Sequence, residues 1–154
     1  MAAFMFDASA IVKRYLRETG TGWVQTLTDP AVGHEIFLTR ITRVEVIAAV
    51  ARRGRSGLLP VKSATAIITQ FRDDAAHQYN ILEILPALLA EGERLAEVHA
   101  LRGYDAVQLA ATLSLNQARS AAGLSGLTFV SADVELNKAA LAEGLTVEDP
   151  NARP

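Results

Sequence analysis

A chain of 154 residues supports one domain with a real core and is too short for two comfortable ones. Half of the residues are hydrophobic, 21% are charged and the net charge is −2, which excludes a disordered chain and any global pull toward nucleic acid. The absence of cysteine excludes disulfide frameworks and thiolate metal sites, and with no signal peptide and no apolar run near the ~20 residues of a membrane helix, a soluble cytoplasmic protein is expected.

Ala3 to Phe6 is an apolar run of the kind that forms a strand buried on both faces, and it stops at Asp7. Ile11, Val12, Tyr15 and Leu16 then follow a helical stripe, which Gly20 and Gly22 are expected to end. Trp23, Val24 and Leu27 suggest a short helix broken at Asp29-Pro30. Ile36 to Thr39 reads as a second strand, and Thr42 to Arg53 as a helix ended by Gly54 and Gly57. Pro60 starts another helix, running to about Tyr79. Ile81 to Leu85 is a third strand, placed at a sheet edge by Glu83 and Pro86.

From Ala87 the pattern is helical to about Arg102, where Gly103 interrupts it before a helix carrying Ala106, Leu109, Ala110 and Leu113. Leu127 to Val130 is a fourth strand, Val134 to Ala142 a helix stopped by Gly144, and Leu145 to Glu148 a fifth strand. Asn151 to Pro154 reads as a frayed tail, leaving residues 1–150 as a single domain. Strands alternating with helices imply an α/β, doubly wound, mostly parallel five-stranded sheet with helices on both faces.

Three acids stand where such a sheet collects ligands, beyond the C-terminal ends of its strands, and a fourth reaches that edge if its helix packs antiparallel to the one before it. Asp7 follows the first strand, Glu45 follows the second, Asp133 follows the fourth, and Asp105 opens the helix after Gly103. Each has a plainer reading as a helix cap, and Thr42-Arg-Val-Glu45 spells a capping box. Yet Ile41, Val44, Val46, Ile47 and Val50 leave that helix apolar nearly all round, so Glu45 is expected to be partly buried, which is costly without a partner. Carboxylates gathered at one edge raise one another's pKa, and a hard cation relieves the conflict. Mg²⁺ suits such a set, because it binds through carboxylates while keeping waters and taking phosphate oxygens. His34, His77 and His99 lack partners at ligand spacing and read as structural or surface residues. The basic run Arg40, Arg43, Arg52, Arg53 and Arg55 reads most simply as a solvated face.

On the segments Phe6-Asp7-Ala8-Ser9, Thr42-Arg-Val-Glu45, Arg102-Gly-Tyr-Asp105-Ala-Val-Gln-Leu-Ala-Ala111 and Val130-Ser-Ala-Asp133, the chain resembles the PIN-domain ribonucleases, most closely the VapC toxins of toxin–antitoxin modules. The segments recur in that family's order and separations across essentially the whole chain. The resemblance implies Mg²⁺- or Mn²⁺-dependent cleavage of RNA, with Asp7, Glu45, Asp105 and Asp133 in the acidic pocket and on the metal. Ser9 and Ser131 fall on its supporting hydroxyl positions, Ser131 where Thr is commoner. It further implies a homodimer and a VapB-like antitoxin partner.

The competing reading is a catalytically silent PIN-like module that binds RNA or protein, and the presence of all four acids argues against it. A phosphatase would want Asp at position 9, where the chain has Ser9, and a phospho-acceptor domain would want a Lys near Ser131. RNA contacts are expected from Lys13, Arg14 and Arg43, while Tyr104 reads as core rather than as a base-stacking surface.

Overall fold

The computed structural model describes residues 1–154. Its centre is β1 (Ala3–Phe6), whose side chains alternate between two cores. Phe4 and Phe6 pack on one face with Ile36, Leu38, Val46, Val50 and Phe71. Ala3 and Met5 pack on the other with Phe37, Leu95, Leu109, Phe129 and Leu136. The period-2 alternation of a strand thus gives one short segment to both faces of the sheet.

On the first face lie α1 (Ala8–Ile11), α2 (Thr21–Leu27), α3 (Arg40–Arg55) and α4 (Val61–His77). The second face carries α5 (Pro86–His99), α6 (Gly103–Ala121) and α7 (Val134–Ala142). The remaining strands are β2 (Glu35–Thr39), β3 (Asn80–Leu82), β4 (Leu127–Val130) and β5 (Thr146–Glu148). Their order is β3-β2-β1-β4-β5, and every pairing is parallel. The expected α/β sheet with helices on both faces is therefore present, and it is wholly parallel. The chain winds outward from β1 through β2 to β3, then returns to the other side of β1 with β4 and β5. The reversal of direction lies between β1 and β4, so the ligand crevice of such a sheet opens beyond Phe6 and Val130. No helix is long and apolar enough to cross a membrane.

Several boundaries differ from the sequence reading for identifiable reasons. The first stripe forms only the short α1, followed by a tighter 3₁₀ turn at Val12–Arg14. Gly22 lies inside α2 and Gly54 inside α3, so neither ends a helix. A Cβ on Gly54 would stand 2.9 Å from that of Ala64, which marks it as the point where α3 and α4 touch. The third strand stops at Leu82, before Glu83, and holds the expected edge position. Gly103 is the first residue of α6, not an interruption before it.

The end of the chain is not frayed. Pro150–Ala152 forms a 3₁₀ turn, Arg153 pairs with Glu148 at 2.9 Å, and its guanidinium sits 5.7 Å from the Trp23 ring centroid. Gly20 fits beneath this turn with φ +86°, and a Cβ there would lie 2.2 Å from the Pro150 carbonyl oxygen. Gly20→Ala is expected to lose about 2–3 kcal/mol through the left-handed backbone and the clash. A thermal melt checks it, since an unchanged melting temperature would mean that the terminal turn does not pack there.

Candidate active site

Asp7 leaves β1 as the N-cap of α1, and its Oδ1 accepts from the Ala10 amide at 3.0 Å. The capping reading is therefore right for this residue and incomplete. Its carboxylate also accepts from Ser9 Oγ at 2.7 and 2.9 Å and from Ser131 Oγ at 2.7 Å. Both hydroxyls are placed by the turn that follows β4: the Ala132 amide donates to Ser9 Oγ at 2.9 Å, and the Asp133 amide to Ser131 Oγ at 3.1 Å. The ends of β1 and β4 are thereby tied together around one buried carboxylate. Burial pushes the Asp7 carboxyl up to about 7, with Asp105 adding to the rise, against the lowering effect of the serines and the Ala10 amide.

Glu45 is not part of a capping box. Thr39 is the N-cap of α3, its Oγ1 accepting from the Thr42 amide at 3.2 Å, so the helix starts two residues earlier than expected. Glu45 then falls in the second turn, half-buried, with no hydrogen bond acting on it. Burial and the charge of Asp105 raise its pKa, and Arg102 opposes them. Val44 beside it is 65% exposed, so the helix is not apolar all round.

Asp105 sits in the first turn of α6, whose N-cap is Arg102. Asp133 is the N-cap of α7: Oδ1 accepts from the Leu136 amide at 3.0 Å and Oδ2 faces Arg102. Glu45, Arg102, Gly103, Tyr104 and Asp105 line a cleft of about 370 Å³. Tyr104 is 63% exposed at this cleft, which corrects its assignment to the core: the second position of α6 faces outward. A larger hollow of about 630 Å³ lies over Arg14 to Gly22, away from the four acids.

Two supporting residues had no signal in local spacing. Gln108, one turn after Asp105 and 4% exposed, accepts from Thr39 Oγ1 at 2.9 Å and Thr42 Oγ1 at 3.1 Å, and donates to the Phe6 carbonyl at 3.4 Å. One buried carboxamide thus joins the helix of Asp105, the helix of Glu45 and the strand of Asp7. Asn137 on α7 donates to the Ser131 carbonyl at 2.8 Å and holds the turn that aims Ser131 at Asp7, while its Oδ1 is buried without a partner. Gln108 belongs to the quoted segment around Asp105, but only the tertiary fold shows what it binds.

The basic residues correct the sequence reading. Lys13 is buried against Glu18 at 3.2 Å, and the Arg14 guanidinium is held by Gln78, Tyr79 and Asp74. Both are committed to internal partners. Arg40 pairs with Glu83 and Arg53 with Glu18, whereas Arg43 on α3 makes no ion pair. The histidines are local: His34 accepts from the Ala2 amide, His77 pairs with Asp73 and His99 with Glu143.

The donor set is four hard carboxylates without sulfur or imidazole, which suits Mg²⁺ or Mn²⁺ and not zinc. No three of the acids close on a common point at ligand distance. They stand as neighbours, and a protein cation is already between two of them: Arg102 donates to Asp105 at 2.9 Å and to Asp133 at 3.1 Å. An unpartnered Glu45, a buried Asp7 and a guanidinium standing in for a cation together fit a site that takes positive charge.

No family model matches the chain. Among curated proteins it is 33% identical over 155 residues to Ribonuclease VapC45 of Mycobacterium tuberculosis, covering 100% of both chains. Among solved structures it is similar to FitAcB from Neisseria gonorrhoeae, with TM-score 0.61 and 18% identity over 96% of this chain and 97% of that one. It is also similar to VapBC2 from Rickettsia felis, solved with a DNA fragment from its promoter, with TM-score 0.63 and 12% identity over 96% and 98% of the two chains.

Proposed function

The chain belongs to the VapC family of PIN-domain ribonucleases, and from that premise we propose that it is the toxin of a toxin–antitoxin module, a divalent-metal-dependent endoribonuclease. The observation that supports the reading is that Asp7, Asp105 and Asp133 stand at the starts of helices beside the reversal of strand order, with Asp105 close enough for its charge to act on both Asp7 and Glu45. These four residues would hold a Mg²⁺ or Mn²⁺ ion, which would supply a water acidic enough to attack the phosphodiester and would offset charge on the phosphate. Ser9 and Ser131 fix both oxygens of Asp7, so that a buried carboxylate keeps one orientation. Gln108 and Asn137 hold the elements that bring the other acids to it. Arg43, on the helix of Glu45 and free of ion pairs, is the candidate RNA contact, with Tyr104 offering an exposed ring beside the cleft for a base.

The antitoxin partner follows from the family and from the toxin–antitoxin complexes among the structural relatives. An apolar groove lined by Leu82, Leu85, Leu88, Ala111, Leu115 and Ala118 offers surface for a protein partner, and a homodimer is the expected assembly. The chain works in the cytoplasm on this reading.

Incubation with RNA and with single-stranded DNA, each with Mg²⁺, with Mn²⁺ and with EDTA, tests the reading. RNA cleavage is expected with either metal and none in EDTA. The same metals are expected to stabilise the fold, by about 2.7 kcal/mol at 100 times the dissociation constant. Cleavage that survives EDTA would overturn the metal dependence. A folded protein that binds RNA but never cuts it would be the silent module instead.

A further inference from the structure

Arg102 is the N-cap of α6 and lies three residues before Asp105. Its Nε donates to Asp105 Oδ2 at 2.9 Å and its Nη2 to Asp133 Oδ2 at 3.1 Å, so one planar fork joins the starts of α6 and α7. Exposure across this bridge is uneven: the arginine side chain is 80% exposed, while the two carboxylates are 19% and 26% exposed. The guanidinium therefore lies over the cleft mouth with the acids beneath it. It is the one cation among the residues lining that cleft, and its charge also reaches Glu45.

A guanidinium and a divalent cation repel one another if both hold the same carboxylates at close range. We propose that Arg102 is a built-in counter-ion of the site, a positioning residue that holds Asp105 and Asp133 while metal is absent and releases them when a divalent cation binds. It thereby sets the metal affinity from within the chain. The inference rests on the metal-dependent reading above. Exposed ion pairs are weak and readily exchanged, which suits a contact that must give way. A buried pair of the same geometry would be far harder to open, because one partner would be left charged and unpaired. The arrangement also accounts for why the acids do not close on a common point: two of them are already drawn to the guanidinium.

Calorimetric titration of Mn²⁺ into wild type, Arg102→Gln and Arg102→Lys, without RNA, reads the exchange with no turnover involved. Arg102→Gln is expected to bind Mn²⁺ about three- to tenfold tighter than wild type, the range set by losing two exposed pairs. Arg102→Lys is expected to resemble Arg102→Gln, because an ammonium keeps the charge but lacks the fork that spans two carboxylates. Melting curves in EDTA establish that each variant is folded. If wild type binds Mn²⁺ and Arg102→Gln binds no tighter, the counter-ion role is overturned and the metal site stands. If Arg102→Lys matches wild type while Arg102→Gln tightens, charge alone opposes the metal and the bridge is again overturned. Folded proteins that bind no Mn²⁺ at all would overturn both this role and the metal reading.

Discussion

Asp7→Asn is expected to cut RNA cleavage by orders of magnitude while making the metal-free protein more stable at neutral pH. The two effects have one cause. Asp7 is buried beside Asp105, and its carboxyl is raised from 3.8 to about 7 in the fold. Between those values the folded state retains a proton that the unfolded chain has released. Wild-type stability in EDTA therefore falls as pH rises through that window and levels off above it. The accumulated cost is at most roughly 4 kcal/mol above pH 7 and vanishes below the unfolded value. Asn carries no such cost, and it caps α1 about as well as Asp. Its amide can still meet Ser9 and Ser131, whose hydroxyls rotate to accept. The variant should melt above wild type at pH 8 in EDTA, with the gap narrowing toward pH 5. In saturating Mn²⁺ the order should reverse, since only wild type keeps the full set of carboxylates. Melting curves at both pH values and a cleavage time course on the same preparations decide it. Retained cleavage by the variant would remove Asp7 from the mechanism.

What was legible in the sequence was whatever depends on local pattern. The apolar run ending at Asp7 and the run ending at Ser131 gave both strands of the crevice, and parallel winding followed from helices between strands. The position and partial burial of Glu45 were legible, but its place relative to the helix start was not. Thr39 and Thr42 stand three residues apart and either can cap a helix, so only the observed start at Arg40 removes Glu45 from the cap. Glycine misled twice, because Gly22 and Gly54 sit inside helices, the latter where a neighbouring helix comes close. Lys13 and Arg14 look like free cations until Glu18 and Asp74 are seen beside them. Arg102, Gln108 and Asn137 act across separations that no local period reports.

Gln108→Leu should weaken both the fold and the metal site, because one buried carboxamide serves three elements. Leucine matches the volume but offers nothing to the Thr39 and Thr42 hydroxyls, which are fully buried and now donate to Gln108 Oε1. The two hydroxyls lie 3.1 Å apart, so one can turn to the other, and the second is left without an acceptor. The Phe6 carbonyl loses its side-chain donor at the same time. A buried polar group without a partner costs about 1–3 kcal/mol, so a total loss of about 2–5 kcal/mol is expected. If the role were only structural, the folded fraction would cleave RNA with wild-type metal dependence. If Gln108 sets the spacing of Asp105 to Glu45 and Asp7, the folded variant should need about tenfold more Mn²⁺ and turn over at least tenfold more slowly, since small displacements of reacting groups are heavily penalised. Thr39→Val and Thr42→Val together in the Gln108→Leu background separate the two effects, because removing both partners of a buried hydrogen bond is far cheaper than removing one, less the lost cap of α3. The triple variant should regain part of the stability without regaining Mn²⁺ affinity. Recovery of both together would reduce Gln108 to a packing residue.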